Sequence, residues 1–390
     1  MISSVLVYKT TKIKARAISL LGLYLLIITS IYNTSQFGAS LSWIFIPCLL
    51  IVGGGILNIS ANASAKSLWI FLLWFVYLIS TVTSEYVNIE RNIATFFIFC
   101  LVYVISTSQS YTKKEIHSII TLYIIVATTC ALNIIYHWLI GDYYVAYFYR
   151  SSFKFLGVYK DPNYSMAFIV PGAFMALIRS FKAITLKKRI LYISSFGLCL
   201  WANVSTASRS ALLSLAMSVL IMFIFFRTSI AKKVRIICVC MLAVLLVFYV
   251  AITYLPTQSI ERFFNLTSDD TREELWRSAI KVFYKYPILG GGFGSANTVS
   301  WASAGNASHN VFLDILCDSG IVGAIIFSTF FITNCFKCKK NNRYILYGLI
   351  VAFMLPMFFI NGFNTATFYL PLIILSILSQ YLANYDCDII

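Results

Sequence analysis

Apolar runs separated by short polar connections fill nearly the whole chain. Runs of the length needed to cross a hydrocarbon core about 30 Å thick recur. They predict twelve spans, over residues 17–34, 41–60, 68–83, 92–108, 116–140, 164–178, 190–206, 210–226, 236–255, 311–334, 344–362 and 365–384. One stretch breaks the alternation. Residues 256–310 are hydrophilic, with Arg262, Arg272, Arg277, Lys281 and Lys285 balancing five acids. Connections in compact folds run to a handful of residues, and a loop this long usually carries function. The expected fold is an all-α, polytopic membrane helix bundle with one large outer loop. Its segments are 1–140 (spans 1–5), 141–255 (spans 6–9 with an arginine-bearing outer turn), 256–310 (the loop) and 311–390 (spans 10–12).

Inside the loop, Thr271-Arg-Glu-Glu274 has the form of a capping box. Leu275, Ala279, Val282 and Tyr286 then share one helical face, opposite Arg272, Glu273, Arg277, Lys281 and Lys285. The pattern predicts an amphipathic helix of about four turns, stopped by Pro287. Such a helix lies in the membrane interface or packs over the tops of the spans. Gly290-Gly-Gly-Phe-Gly294 follows without the Lys-Ser/Thr of a phosphate loop, and reads as a flexible hinge.

Composition removes the soluble alternative. The 390 residues are 60% hydrophobic and only 11% charged, against about a quarter charged in globular domains. The basic start before the first apolar run lacks a small-residue cleavage site, so that run counts as a span. With both termini in the cytoplasm, the inner face carries twenty Lys or Arg and three acids, the outer face ten and eleven, counting Asp314 and Asp318 with the outer face. That is the positive-inside bias. The net charge of +16 follows from topology and anionic inner-leaflet lipid, and nucleic acid is not an expected partner. None of the ten cysteines lies in the large loop, so no disulfide framework is expected. Cys335-Phe-Lys-Cys338 stands without a second ligand pair, so no metal is expected either.

Candidate chemistry gathers on the outer side. His309-Asn310 stands where the chain re-enters the membrane, and Asp314 and Asp318 follow four residues apart on one face of the next span. Ionisable groups inside a span are costly and default to a functional hypothesis, beside the plainer reading of a hydrogen-bonded helix end. Arg209 sits in a tight turn after Ser205-Thr-Ala-Ser208. It either snorkels to the interface or grips a phosphate with its two-pronged guanidinium. The 141–163 connection mixes Arg150, Lys154, Lys160, Asp161 and Asn163 with tyrosines and phenylalanines. These aromatics form an ordinary interfacial belt or face sugar rings.

Three motifs resemble the bacterial O-antigen ligase and O-antigen polymerase superfamily. His309-Asn310, nine residues, Gly320, two residues, Gly323 is similar to a ligase pattern. Arg209-Ser-Ala-Leu-Leu213 resembles the Arg-x3-Leu turn, and Tyr286-Pro to Gly294 resembles a segment before the His-Asn of polymerases. Asp161-Pro-Asn163 also looks family-like, and the resemblance covers roughly residues 155–330. It implies a GT-C-type glycosyltransferase of the bacterial inner membrane with its site on the periplasmic face. The implied donor is an undecaprenyl-diphosphate-linked oligosaccharide, with no metal or other cofactor. A chain-length regulator and a flippase of the same pathway would be partners, beside membrane lipid.

On that basis Arg209 and Arg272, helped by Arg277, are expected to hold the donor diphosphate. His309 is the expected general base, oriented by Asn310 or Asp314. Arg150, Asn163 and Asp161 are further candidates for substrate contact. The glycine-rich segment favours a polymerase, which joins lipid-linked repeat units. The alternatives are a ligase delivering the chain to lipid A core and, more distantly, a lipid-linked oligosaccharide flippase.

Overall fold

The computed structural model describes residues 2–32, 40–56, 68–86, 90–146, 148–226, 270–304, 307–360 and 366–385, with isolated positions from 234 to 261. The span expected at 236–255 and Arg262 therefore lie largely or wholly outside the described residues, as does the side chain of Thr271. The described chain is helical apart from two short β-ribbons. Among the described residues, four helices are long and apolar enough to cross a membrane: Lys113–Leu139, Pro162–Lys182, Val311–Cys335 and Thr367–Asn384. Shorter apolar helices accompany them, among them Leu68–Val82 and Arg209–Phe225. Leucine, isoleucine and phenylalanine side chains remain exposed along many of these helices, as lipid-facing surfaces require. This is an all-α, membrane-associated helical protein.

Contacts divide the chain into two compact units. The first contains Met1–Glu115, Asp270–Lys337 and Ile360–Tyr381. It holds α1 (Ile2–Thr29), α2 (Ser40–Gly55), α3 (Leu68–Val82), α4 (Glu90–Ser108), α9 (Asp270–Lys285), α10 (Ser295–Ala304), α11 (Val311–Cys335) and α13 (Ala366–Asn384, to Tyr381). The helix α1 begins well before the predicted span at 17. Gly54 lets α2 lie against α1, because a Cβ there would stand 2.4 Å from the Ala15 carbonyl oxygen.

The second unit contains Ile116–Asp269, Cys338–Phe359 and Leu382–Ile390. Its helices are α5 (Lys113–Leu139, from Ile116), α6 (Pro162–Lys182), α7 (Leu186–Ser205), α8 (Arg209–Phe225) and α12 (Arg343–Met354). The 141–163 connection folds into the two ribbons, Tyr144–Ala146 against Phe148–Arg150 and Lys154–Phe155 against Val158–Tyr159. At the centre, Tyr123 stacks on Phe168 at 4.7 Å and meets Phe353 edge-on at 5.7 Å.

The predicted amphipathic helix is α9. Its apolar residues Ala279 and Val282 bury against Ala296 of α10 and Cys317 of α11, with Phe283, Val299 and Leu313 around them. Of the two placements open to it, it packs on helices of its own unit.

Candidate active site

In the first unit the candidate residues gather at the start of α11. Asn310 is its N-cap, and its Oδ1 accepts the Phe312 and Leu313 amides at 3.1 Å each. That oxygen is committed to backbone, satisfying donors every helix start leaves open. Ser308 is tied down from three sides. Its amide donates to Asn297 Oδ1 at 3.0 Å, its carbonyl accepts Trp276 Nε1–H at 3.0 Å, and its hydroxyl donates to the buried Asp314 carboxylate. His309, between these two anchored residues, has φ +53° and is half-exposed. A left-handed histidine is strained by about 1–3 kcal/mol and persists only where its neighbours over-determine it. Neighbours on both sides do so here.

Asp318 turns out to serve structure. Its carboxylate accepts the Gly294 amide at 2.8 Å, the Ser295 hydroxyl at 2.9 Å and the Ala296 amide at 3.0 Å. It is the cap of α10, supplied from another helix.

The glycine-rich segment is no hinge. Residues Gly290 to Phe293 are buried, and the Gly291 and Gly292 amides donate to the Cys317 and Asp318 carbonyls at 2.9 and 3.0 Å. Gly320 breaks α11 with φ +64°, and the freed Ile321 amide donates to Pro287 at 3.0 Å. A Cβ on Gly290 would meet the Asp318 carbonyl carbon at 2.3 Å, and one on Gly320 the Ile288 oxygen at 2.3 Å. The two glycine motifs are the two halves of one backbone-to-backbone contact.

Arg272 is half-buried on α9. Arg277 lies exposed on the same helix, donating to Glu273 at 2.5 Å in an i,i+4 pair.

The second unit gathers the other candidates around Asn163. Its Oδ1 accepts Arg150 Nη2 at 3.1 Å and the Ser208 hydroxyl at 3.0 Å. The buried Arg150 also donates through Nε to the Thr206 carbonyl at 2.8 Å. Asp161 caps α6, accepting the Asn163 amide at 2.7 Å. Ala207 has φ +49°, and Arg209 opens α8 two residues later. Ser208 gives α8 no side-chain cap because its hydroxyl goes to Asn163. The positive end of a helix therefore coincides with a guanidinium, the arrangement that attracts an anion. Arg150, Asn163 and Asp161 are the frame that presents Arg209.

Beside them, Asp142 receives Lys154 Nζ at 2.7 Å, the Tyr159 hydroxyl and His137 Nδ1 at 3.0 Å. Hydrogen bonds from Lys154 and Tyr159 pull the Asp142 carboxyl down to about 2. Burial lowers the neighbouring Lys160 to about 8.

Residues missed in the sequence are therefore Ser308, Asn297, Trp276 and Thr206. Only Ser308 carried a signal, as a serine just ahead of a helix start. Among the described residues, no group of three or more His, Cys, Asp or Glu could hold a metal ion.

Each unit thus offers a half-exposed cationic or titratable side chain on a rigid turn ahead of a membrane helix. Residues 194–328, which include both turns, match the family model described as O-antigen ligase. Over this stretch the chain is similar to that family. The ComP-specific O-oligosaccharyltransferase of Acinetobacter baylyi is 26% identical over 204 residues, covering 48% of this chain and 37% of the relative. The matched stretch thus spans little more than a third of that relative's length. No solved structure matches.

Proposed function

We propose that this protein is a membrane glycosyltransferase that moves a glycan from undecaprenyl diphosphate onto an acceptor hydroxyl, as a ligase. The observation that carries this reading is that the matched stretch, 194–328, includes both left-handed turns, Ala207–Arg209 and Ser308–Asn310. The polymerase expectation rested on the glycine-rich segment. That segment is accounted for by the Gly290–Gly320 contact, a packing need indifferent to the acceptor. The family description and the relative's name both favour ligation.

In this mechanism Arg209, with the N-terminus of α8, holds the donor diphosphate and meets the charge growing on the leaving group. Arg272 adds to that charge, while Arg277, paired with Glu273, steers anions at longer range. His309 takes the acceptor proton as the hydroxyl oxygen attacks the anomeric carbon. The bond from that carbon to the diphosphate breaks, and the lipid diphosphate departs. Asp314 works through Ser308 by fixing the backbone under His309. The reading includes twelve spans in a GT-C-like arrangement in the bacterial inner membrane, both termini cytoplasmic and the site periplasmic. A flippase delivers the donor.

The test is a lipopolysaccharide gel of a deletion strain, its complement and a His309→Ala allele, with a glycoprotein blot alongside. Bare core in deletion and mutant, with lipid-linked glycan accumulating, supports ligation to lipid A core. Normal lipopolysaccharide with loss of a protein glycan supports a protein acceptor, which the relative's name favours. Core bearing a single repeat unit returns the polymerase, and an active His309→Ala allele removes the base.

A further inference from the structure

We infer that the second unit binds an anionic phospholipid at the end opposite Arg209, with acyl chain in a cleft between α6, α8 and α12 and phosphate on Lys182. The cleft encloses about 160 Å³. Its walls include the buried Ile178, Met222 and Phe223 and the more open Phe226 and Tyr344. An apolar cavity of about 150 Å³ accepts a benzene-sized guest, so this one takes about six carbons of a fatty acyl chain. Apart from Lys182 and Tyr344 the lining is apolar, as an acyl chain requires.

The mouth supplies the headgroup chemistry. Lys182, the last residue of α6, lies with Nζ 5.9 Å from the centre of the Tyr344 ring, which packs at 5.0 Å on Phe226. Aromatic rings beside a lysine are the pattern of a membrane-interface anchor. Around it stand Arg179 in the same helical turn, Lys187, Lys188 and Arg189 at the start of α7, and Lys339, Lys340 and Arg343 leading into α12. The described acids of the second unit, Asp142, Asp161 and Glu261, fall elsewhere. Asp161 caps the far end of α6, Asp142 joins Lys154 there, and Glu261 follows Ile260, which packs on Val204 near the end of α7. Even with Glu115 at the start of α5 and Asp386 and Asp388 of the C-terminal tail counted here, eight cations keep this end strongly positive. Clusters of this kind between helices recognise anionic headgroups. The 21-residue α6 separates the cleft from the Asn163 frame by about 30 Å, so this is no part of the donor site.

The full chain, purified in detergent and titrated with phosphatidylglycerol or phosphatidylcholine, tests this by native mass spectrometry of retained lipid. Phosphatidylglycerol should be retained preferentially, and Lys182→Gln should weaken retention about fivefold, the loss of one interfacial cation. Met222→Trp, filling the cleft, should reduce retention as well. Lys281→Gln, in the first unit, should change nothing. Equal retention of the two lipids, or full retention in Lys182→Gln, overturns the site. A loss in Lys281→Gln as large as in Lys182→Gln also overturns it, because retention would then report overall charge.

Discussion

His309 carries strain that its side-chain chemistry does not need. At φ +53°, a residue with a Cβ pays roughly 1–2 kcal/mol relative to its ordinary conformation. Glycine escapes that cost but is more mobile when unfolded, by about 0.5–1 kcal/mol. His309→Gly should therefore unfold at or above the wild-type temperature, and His309→Ala below His309→Gly. Both should lose transfer by about 10²–10⁴-fold, the usual share of a general base. Thermal unfolding in detergent beside a turnover assay separates strain from chemistry, and an active glycine variant would end the base role. Arg209 makes the complementary case. A lysine keeps the charge but loses the planar fork, so Arg209→Lys should fall by about 10²–10³-fold in turnover with donor retention less affected. Activity within a few-fold of wild type would remove the clamp. Both residues stand out as candidates in the sequence because each sits in a short local motif. Their supports were not, since Ser208 to Asn163 and Arg150 to Thr206 join residues 45 and 56 apart with no periodic pattern between them.

At the level of elements, the glycine pair makes the clearest prediction. Gly290 and Gly320 both have positive φ and both present bare Cα positions to the other's backbone. Either alanine substitution should destabilise by about 2–4 kcal/mol, since it combines a forbidden conformation with overlap against immovable backbone. The double variant should lose less than the sum, because the second substitution finds the contact already open. Additive losses in chemical unfolding would mean the two glycines act separately. The sequence showed both motifs, but not that they meet, because contact between a loop and a broken helix leaves no period to read. Asp318 was obscured for the same reason. Its spacing from Asp314 marks a helical face, while the amides it caps lie 22 and 24 residues earlier.

The ribbon at Asp142 adds a pH dependence with a definite sign. Its carboxyl is depressed to about 2 by Lys154 first and Tyr159 next. Its support is therefore complete above the ordinary carboxylate value of about 4 and fades as pH falls toward 2. Lys154 is raised by the same pair, so that side of the contact is present below about pH 10.4 and fades above the raised value. Both groups are partly exposed, so solvent screening keeps the effect small. Hydrogen-exchange protection of the ribbons should therefore decline in the wild type between pH 5 and pH 3, whereas in Asp142→Asn it should be lower at pH 5 and flat across that range.

Charge is distributed unevenly between alternate connections of the chain, and this predicts an orientation. In the second unit, Arg179 reaches His117 and Thr121 at the start of α5, whereas Asp142 and the ribbons follow its other end. On the positive-inside bias the Arg179 end is expected in the cytoplasm. A single cysteine at Lys187 should then react with a membrane-impermeant maleimide only after the cells are opened, and one at Gly141 should react in intact spheroplasts. The outcome reaches beyond topology. A donor already carried across the membrane on lipid diphosphate makes sense for an outward Arg209, where nucleotide sugars are absent. If Lys187→Cys labels from outside and Gly141→Cys does not, Arg209 faces the cytoplasm and nucleotide-linked donors are within its reach. The chemistry assigned to its guanidinium would survive, since a nucleotide diphosphate presents the same charge. The lipid-linked donor would then lose the argument from compartment, and the acceptor would have to be sought on the inner face.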